Sequence, residues 1–372
     1  MNQQTLDMYL ERFKGILKKV QNEVKKLKSK EEELNRREQD IRTIKENTTQ
    51  ILQLLQGRTT TTTNIERKIQ SLNKTKEIEH SSSVYSITEL SNARMATGDW
   101  NGYIRLFAVD AENGQWTTKK EEKGHDRIIN SLCELSRNRL VSSSSDNTLK
   151  VWDISKDTLT PIKTLQGHND IVHQVIPLTM DIIASGSWDR TIKIWDVTAY
   201  KEVQTLGEDF DVCSLLKLKN KNEMVAGGTG KNIVSFWNTI TFTKEHTVEC
   251  CDCLSYNGLI ELPNGCVAVS GGSSSTIDVI DTKTYQRVKQ IQCEGYIGSS
   301  GGCSSLHLLS NGTFIYSHRG CFCQISSTTY EVLYKDKKEK EFGEAMTSTS
   351  NGKYIIAHNY NCGVSIFKIE YN

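Results

Sequence analysis

Two stretches of this chain, 43 residues apart, carry the same polar residues in the same order. The first runs from Gly124-His125 through Asp146 to Trp152-Asp153, the second from Gly167-His168 through Asp189 to Trp195-Asp196. Within each copy the His-to-Asp interval is 21 residues and the Asp-to-Trp interval is 6. Three unrelated residue types holding register at one period mark an internal repeat. A repeat of this length is one supersecondary unit that cannot bury its apolar face alone, so the core has to form between neighbouring units.

A unit near forty residues that opens on GH and closes on WD resembles the WD40-repeat family. The resemblance implies an all-β seven-bladed propeller, each blade a sheet of four strands, here named a to d from the axis outward. It also implies roles. In such a blade the GH histidine, a strand-b Ser or Thr, the Asp of the b–c turn and the strand-c Trp form a hydrogen-bonded tetrad. By that resemblance His125, Asp146 and Trp152 belong to one tetrad, and His168, Asp189 and Trp195 to the next. Such groups are costly to bury unless they satisfy one another, so the network reads as architecture and not as a catalytic centre.

Residues 76–372 number 297, about 42 for each of seven blades. The other five copies are weaker. In the first, at 97–107, Asn101 stands where the family has Asp and Phe107 where it has Trp; in the fourth, at 226–237, Lys231 takes the Asp position. Copies five, six and seven are read at 269–281, 313–325 and 354–367 from strand alternation and spacing. The chain stops just after what reads as strand c of the seventh blade, leaving an open sheet edge. A strand near 76–82, centred on 77–80, is expected to complete that blade from the other end of the chain.

Before residue 76 the pattern changes. Leu6, Leu10, Phe13, Leu17, Val20, Val24, Leu27, Leu34, Ile41, Leu52 and Leu55 trace a heptad seam, interrupted by Glu31, Glu38 and Lys45. One long coiled-coil helix is expected over 1–56. A Thr-rich break with a short helix is expected over 57–75, the break at Thr59 to Thr63 and the helix at 64–74. A long helix cannot bury its stripe alone, so homo-oligomerisation through residues 5–56 is expected; a charged single helix spacing two domains is the blander alternative. Charge divides at the same place: residues 1–75 carry 16 Lys and Arg against 10 Asp and Glu, the remainder 30 against 35. The cluster Arg12, Lys14, Lys18, Lys19, Lys25, Lys26, Lys28 and Lys30 could meet an anionic membrane or a nucleic-acid backbone, although charged outer faces are ordinary in coiled coils.

No apolar run approaches the ~18 residues that span a bilayer, the N-terminus is polar, and no disulfide framework is apparent. A cytoplasmic setting is expected, with the nucleus as alternative. Cys250, Cys251, Cys253, Cys321 and Cys323 lack finger or ribbon spacing and read as packing residues; no metal or other cofactor is expected. The glycine runs 227–230 and 298–302 lack a phosphate-binding signature and read as turns. No nucleophile, base and orienting group stand together outside the tetrads, so no enzyme is expected. The expected activity is that of a protein-interaction scaffold or adaptor. Candidate contact residues on the face built by the d–a and b–c loops are Trp100, Trp188, Arg127, Asp170, Arg190 and Arg319, because exposed Trp and Arg favour interface hot spots. A substrate-recognition subunit of a ubiquitin-ligase-type complex is a further alternative. Against it, Trp152-Asp153 and Trp195-Asp196 are followed by Ile154-Ser155 and Val197-Thr198, without the WD-x-Arg element of some such receptors.

Overall fold

Short alternating runs bounded by Gly, Asn and Asp turns form strands from Ile69 to Tyr371, grouped into seven antiparallel four-stranded sheets. This computed structural model describes residues 66–372 except 111–114, 137, 156–157, 251–253, 272–275, 293–303, 319–320, 338–345, 350 and 360–362. The chain divides into a unit 1–63 and a compact unit 64–372. The helix expected over 5–56 and the threonine run lie outside the described residues. Blades 1 to 6 take four consecutive strands each, beginning at Val84, Ile129, Val172, Asp211, Leu254 and Ser304.

Burial grades across each blade. Strand b is enclosed throughout in blades 1, 2 and 5 (Arg94–Asp99, Arg139–Ser144 and Cys266–Gly271). Strand d is almost wholly exposed in blades 2, 3 and 5, where it carries Pro161, Lys163, Lys201 and Lys289. Proline and lysine on these outer edges discourage pairing with another chain. Enclosed strand b is rich in Ser, Ala and Gly because the next blade's strand a lies against it. At Gly186 a Cβ would come within 2.5 Å of Val212 Cγ1.

The core is not one mass but seven clusters, one per junction. That between blades 1 and 2 holds Leu90, Ala96, Ile104, Leu106, Ile129, Leu132, Leu140, Trp152, Ile154 and Leu159. At ~1.5–3 kcal/mol per buried large side chain, one junction gains more in gross terms than the ~5–15 kcal/mol net stability of a typical domain. Losing any junction would therefore undo the ring. The junction between blades 7 and 1 is built alike, from Tyr354, Ile356, Val364 and Ile366 against Val84, Met95, Phe107 and Trp116.

Blade 7 is composite. Its strands a, b and c are Met346–Ser348, Tyr354–Asn359 and Gly363–Tyr371; its strand d is Ile69–Glu79, from the other end of the domain. The pairing runs from Ile69 opposite Tyr371 to Glu79 opposite Gly363, with irregularities at Ile69/Ser71 and Lys74/Lys76. The short helix expected over 64–74 is thus corrected: residues 69–74 are strand, and the closing strand starts earlier than 76. Helical propensity in this polar stretch is overridden, because the open edge offers a ladder of hydrogen bonds and Ile69 and Leu72 bury beside Phe322 and Phe367. The glycine run at 227–230 is corrected too, since Gly227 and Gly228 belong to strand b of blade 4 (Glu223–Thr229); the run 298–302 is outside the described residues.

The c–d turns of blades 3 to 6 share a motif. Asp196, Asn238, Asp281 and Ser326 each accept two backbone N–H bonds two and three residues on. Four residues after each stands an aromatic with positive φ: Tyr200 (53°), Phe242 (57°), Tyr285 (54°) and Tyr330 (62°). In blade 6 the serine cap is reinforced from afar. The Glu66 carboxylate accepts from Ser327 N (2.9 Å), Ser327 Oγ (3.0 Å), Ser326 Oγ (2.5 Å) and Thr328 N (3.2 Å). Gln324, buried, accepts from Ile69 N at 2.7 Å and donates to Arg67 O at 2.8 Å. The closing strand is therefore anchored to blade 6 as well as laddered to blade 7. Glu66→Ala is expected to lower the urea-unfolding free energy by about 1–3 kcal/mol, the cost of unsatisfied donors. Deleting residues 1–79 should leave the 363–371 edge open and give soluble aggregates by light scattering.

Candidate partner-binding face

Strand b of blade 2 places Ser142 midway between its strand-c neighbour Trp152 and the His125 that precedes strand a. His125 Nδ1 lies 2.8 Å from Asp146 Oδ2, and its Nε2 lies 2.7 Å from Ser142 Oγ. Trp152 Nε1 donates to Ser142 Oγ at 2.9 Å. One proton order satisfies every group: indole N–H to serine oxygen, serine O–H to Nε2, Nδ1–H to the carboxylate. Blade 3 repeats it with His168, Ser185, Asp189 and Trp195 at 2.8 Å for each of the three contacts. Burial alone would raise the Asp146 and Asp189 carboxyls, but hydrogen bonds from the histidines and from Thr148 and Thr191 outweigh it and hold both below the usual range. The serines are the members the sequence reading left unassigned; a Ser 17 residues after each GH histidine was their signal.

The same positions in other blades are filled differently. In blade 4 Glu208 stands at the histidine position. Its Oε1 accepts from Trp237 Nε1 at 2.6 Å and from the Ser235 hydroxyl, and its Oε2 pairs with Lys244 at 2.7 Å. Lys244 also sits 5.1 Å from the Trp237 ring centre. A buried carboxylate is tolerable only with such compensation. In blade 1 the histidine is His80, 21 residues before Asn101 and 17 before Thr97. It lies 6.0 Å from the Phe107 ring, which has nothing to donate; among the described residues both buried His80 nitrogens and Thr97 Oγ1 have no hydrogen-bond partner. Burial, then Arg105 and His358 nearby, push the His80 imidazole down to about 3.

These networks hold up the loops at one end of the propeller. Gly102, at φ 83°, ends the blade 1 b–c turn against the blade 2 d–a loop. A Cβ there would lie 2.0 Å from His125 O and 3.0 Å from Arg127 O, while Gly102 O accepts from Gly124 N at 2.8 Å. Trp100 and Arg127 are thereby set on adjacent loops. Trp100 is 52% exposed, its ring centre 5.6 Å from that of Tyr85, which in turn stacks at 6.4 Å on buried His358. An aromatic row thus crosses from blade 1 to blade 7. Arg127 is exposed and makes no ion pair among the described residues.

Trp188 occupies the corresponding turn of blade 3 but fares differently. It is half-buried, its ring tilted against His173 at 5.0 Å beside the Cys213 thiol. Arg190 is exposed yet paired to Asp211 at 3.0 Å; Asp170 is exposed and caps the Ile171 N–H at 2.7 Å. Arg319 lies outside the described residues. The structure thus sets Trp100 and Arg127 on adjoining loops, leaves Asp170 and Arg190 in neighbouring loops, and turns Trp188 towards His173 of its own blade. Tyr85 was missed, because strand alternation alone does not show which strand-a residues reach the rim.

Two predictions separate these networks. Ser185→Ala should cost about 1–3 kcal/mol, since it strands the indole N–H and the histidine nitrogen, whereas Thr97→Val should be neutral or stabilising because no bond is lost. Urea titrations of both variants test the pair. For pH, a folded imidazole held near 3 binds its proton later than the unfolded one near 6.5, so its stabilisation is complete above 6.5 and drains as pH falls from there towards 3. The two tetrad carboxylates lose theirs only below about pH 4. Moving from pH 7 to 5 should therefore lower stability, by up to about 2 kcal/mol from His80, and the drop in urea midpoint should be smaller in His80→Leu.

Comparison with known proteins matches these blades. The family model WD40 (WD domain, G-beta repeat) matches residues 116–153 and 159–196, the blades with complete tetrads. The chain is similar to the "Restriction of telomere capping protein 1" of Candida albicans (strain SC5314 / ATCC MYA-2876), 36% identical over 72 residues that make up 19% of this chain and 6% of that protein. It is also similar to the "Ribosome biogenesis protein WDR12 homolog" of Aedes aegypti, 32% identical over 82 residues, 18% of this chain and 19% of that one. Each likeness thus spans under a fifth of the relative's length. Among solved structures, the WD40 beta propeller domain of Doa1 superposes with a TM-score of 0.65 at 18% identity, covering 81% of this chain and 98% of that chain. The chain carries WD40 repeats on a seven-bladed β-propeller.

Proposed function

We propose that this chain is a non-catalytic scaffold that captures a protein segment on the d–a and b–c loop face, with Trp100 as anchor. The observation that carries the proposal is an exposed tryptophan beside an uncommitted arginine, on loops held rigid by buried networks. Rigid aromatic anchors lose little conformational entropy on binding, and Trp and Arg dominate interface energetics. Arg127 suits a carboxylate on the bound segment because its planar fork offers paired donors. Trp188 has a smaller part in this reading, since its ring is already packed. A propeller of this kind supports a scaffold role in general; the telomere and ribosome relatives share too little of the chain to name its assembly.

Residues 5–56 belong to the same proposal as the oligomerising arm, acting in the cytoplasm. Two modest faces on one particle would gain effective concentration against a multivalent target. The test is a quantitative pull-down from native extract with the full chain, comparing wild type, Trp100→Ala and Trp188→Ala at matched folding. A defined set of proteins should fall by about tenfold or more with Trp100→Ala, as for a hot spot worth ~2 kcal/mol, and change little with Trp188→Ala. Retention of the same set by Trp100→Ala would move the binding face elsewhere.

A further inference from the structure

The opposite end of the propeller, where the a–b turns lie, carries a second repeat. Each of blades 1 to 5 has a leucine as the last residue of strand a, Leu90 and Leu135, or as the residue just after it, Leu178, Leu218 and Leu262. The residue before it is Glu89, Glu134, Pro177, Lys217 and Glu261. Two of these acids, Glu134 and Glu261, clasp the preceding blade. Glu134 accepts from Ser91 N at 2.7 Å and Ser91 Oγ at 2.6 Å, joining blade 2 to blade 1. Glu261 accepts from Lys219 N at 2.8 Å, joining blade 5 to blade 4.

Between blades 3 and 4 the clasp is missing. Lys217 cannot accept a hydrogen bond, and its Nζ turns to the carbonyls of its own turn, Leu218 O at 2.9 Å and Lys221 O. A cleft of about 830 Å³ opens there, its lining including Ile176, Leu178 and Leu216 together with Lys217, Lys219 and Lys221. That volume is within the range of ligand-binding clefts, roughly 300–1,000 Å³. Lys219 is exposed and has no ion pair among the described residues. Of the neighbouring acids, Glu261 accepts from the Lys219 N–H, and Glu223 pairs with Lys221 and accepts from the Tyr285 hydroxyl. Both carboxylates also act on Lys217, which leaves Lys219 as the cation offered to a ligand. Met180, 64% exposed on the blade 3 turn, adds apolar surface close to Leu178 in the chain.

We propose that this cleft is a second docking site, for a partner segment in which leucine-like and acidic side chains alternate. Its apolar side chains would pack on Ile176, Leu178 and Leu216, and its carboxylate would reach Lys219, supplying from outside the acid that the fold supplies at the junctions of blades 1–2 and 4–5. Apolar lining together with an exposed cation gives both area and sign.

The probe is a short fluorescein-labelled peptide alternating leucine and glutamate, titrated against the full chain by anisotropy. Saturable binding is expected, weakened about tenfold by Lys219→Glu. Because the Lys219 N–H is part of the Glu261 clasp, Lys219→Gln is compared at an unchanged urea midpoint and should weaken binding in the same direction. Replacing the peptide's leucines by serine should weaken binding comparably, and Trp100→Ala, at the other end of the propeller, should leave it unchanged. The proposal is overturned if no saturable binding occurs, if a leucine–lysine peptide binds equally well, or if Lys219→Glu leaves the affinity as it was. In that last case the basic residues before position 75 would be the acceptor.

Discussion

Everything in this domain hangs on the ladder between Ile69–Glu79 and Gly363–Tyr371. A ring of sheets has no free end only if the last blade meets the first, and here the last blade is finished by residues nearly three hundred positions away in sequence. The apolar clusters lie between blades, so each depends on both its neighbours being in place. Closure therefore converts seven separately marginal sheets into one cooperative body, and the Glu66 and Gln324 contacts extend the fastening to a second blade. Loop-closure entropy grows only slowly with separation, which is why so distant a pairing can be sustained by a single strand and its anchor.

Within that frame each blade solves one electrostatic problem in its own way. An enclosed polar position beside a strand-c aromatic can be satisfied by imidazole, serine and aspartate, as in blades 2 and 3. Blade 4 uses a carboxylate with its own ammonium partner, and blade 1 keeps a neutral imidazole over a phenyl ring. These are not equivalent energetically. The first two networks leave no group unpaired, whereas His80 and Thr97 retain buried atoms with no partner among the described residues. Blade 1 is also where the exposed tryptophan sits, on a turn held by backbone bonds to the neighbouring blade and not by a tetrad of its own. Rigidity at that turn is shared: Trp100 N donates to Ser83 O and Tyr103 N to Asp99 Oδ1 on its own side, while Gly102 O accepts from Gly124 N and His125 N ahead of blade 2.

The two ends of the propeller consequently differ in character. One presents loops whose backbones are laced together and whose exposed side chains are aromatic or charged. The other presents turns joined by an acid-to-backbone clasp, interrupted where proline and lysine replace glutamate. Both features are departures from the repeat, and departures are where a repeat protein can acquire individual surfaces without changing its architecture.

The sequence by itself determined the repeat, its period, the strand-b and strand-c segments and the six tetrad residues of blades 2 and 3, because register between unlike residue types survives in one dimension. It also held signals that went unused: the Glu-Leu pair closing strand a, the cap-and-aromatic spacing of the c–d turns, and the 17- and 21-residue intervals that mark His80. Only the tertiary structure decided that residues 69–74 are strand, since their local pattern gives no sign of the edge they complete. It alone decided that Trp100 faces outward while Trp188, at the same place in its blade, lies against His173. Burial is conferred by whatever the fold places opposite a side chain. For Trp188 that is His173 of its own blade and Cys213 of the next; for most core positions it is the adjoining blade, some forty residues away; and for the closing strand it is the far end of the described residues.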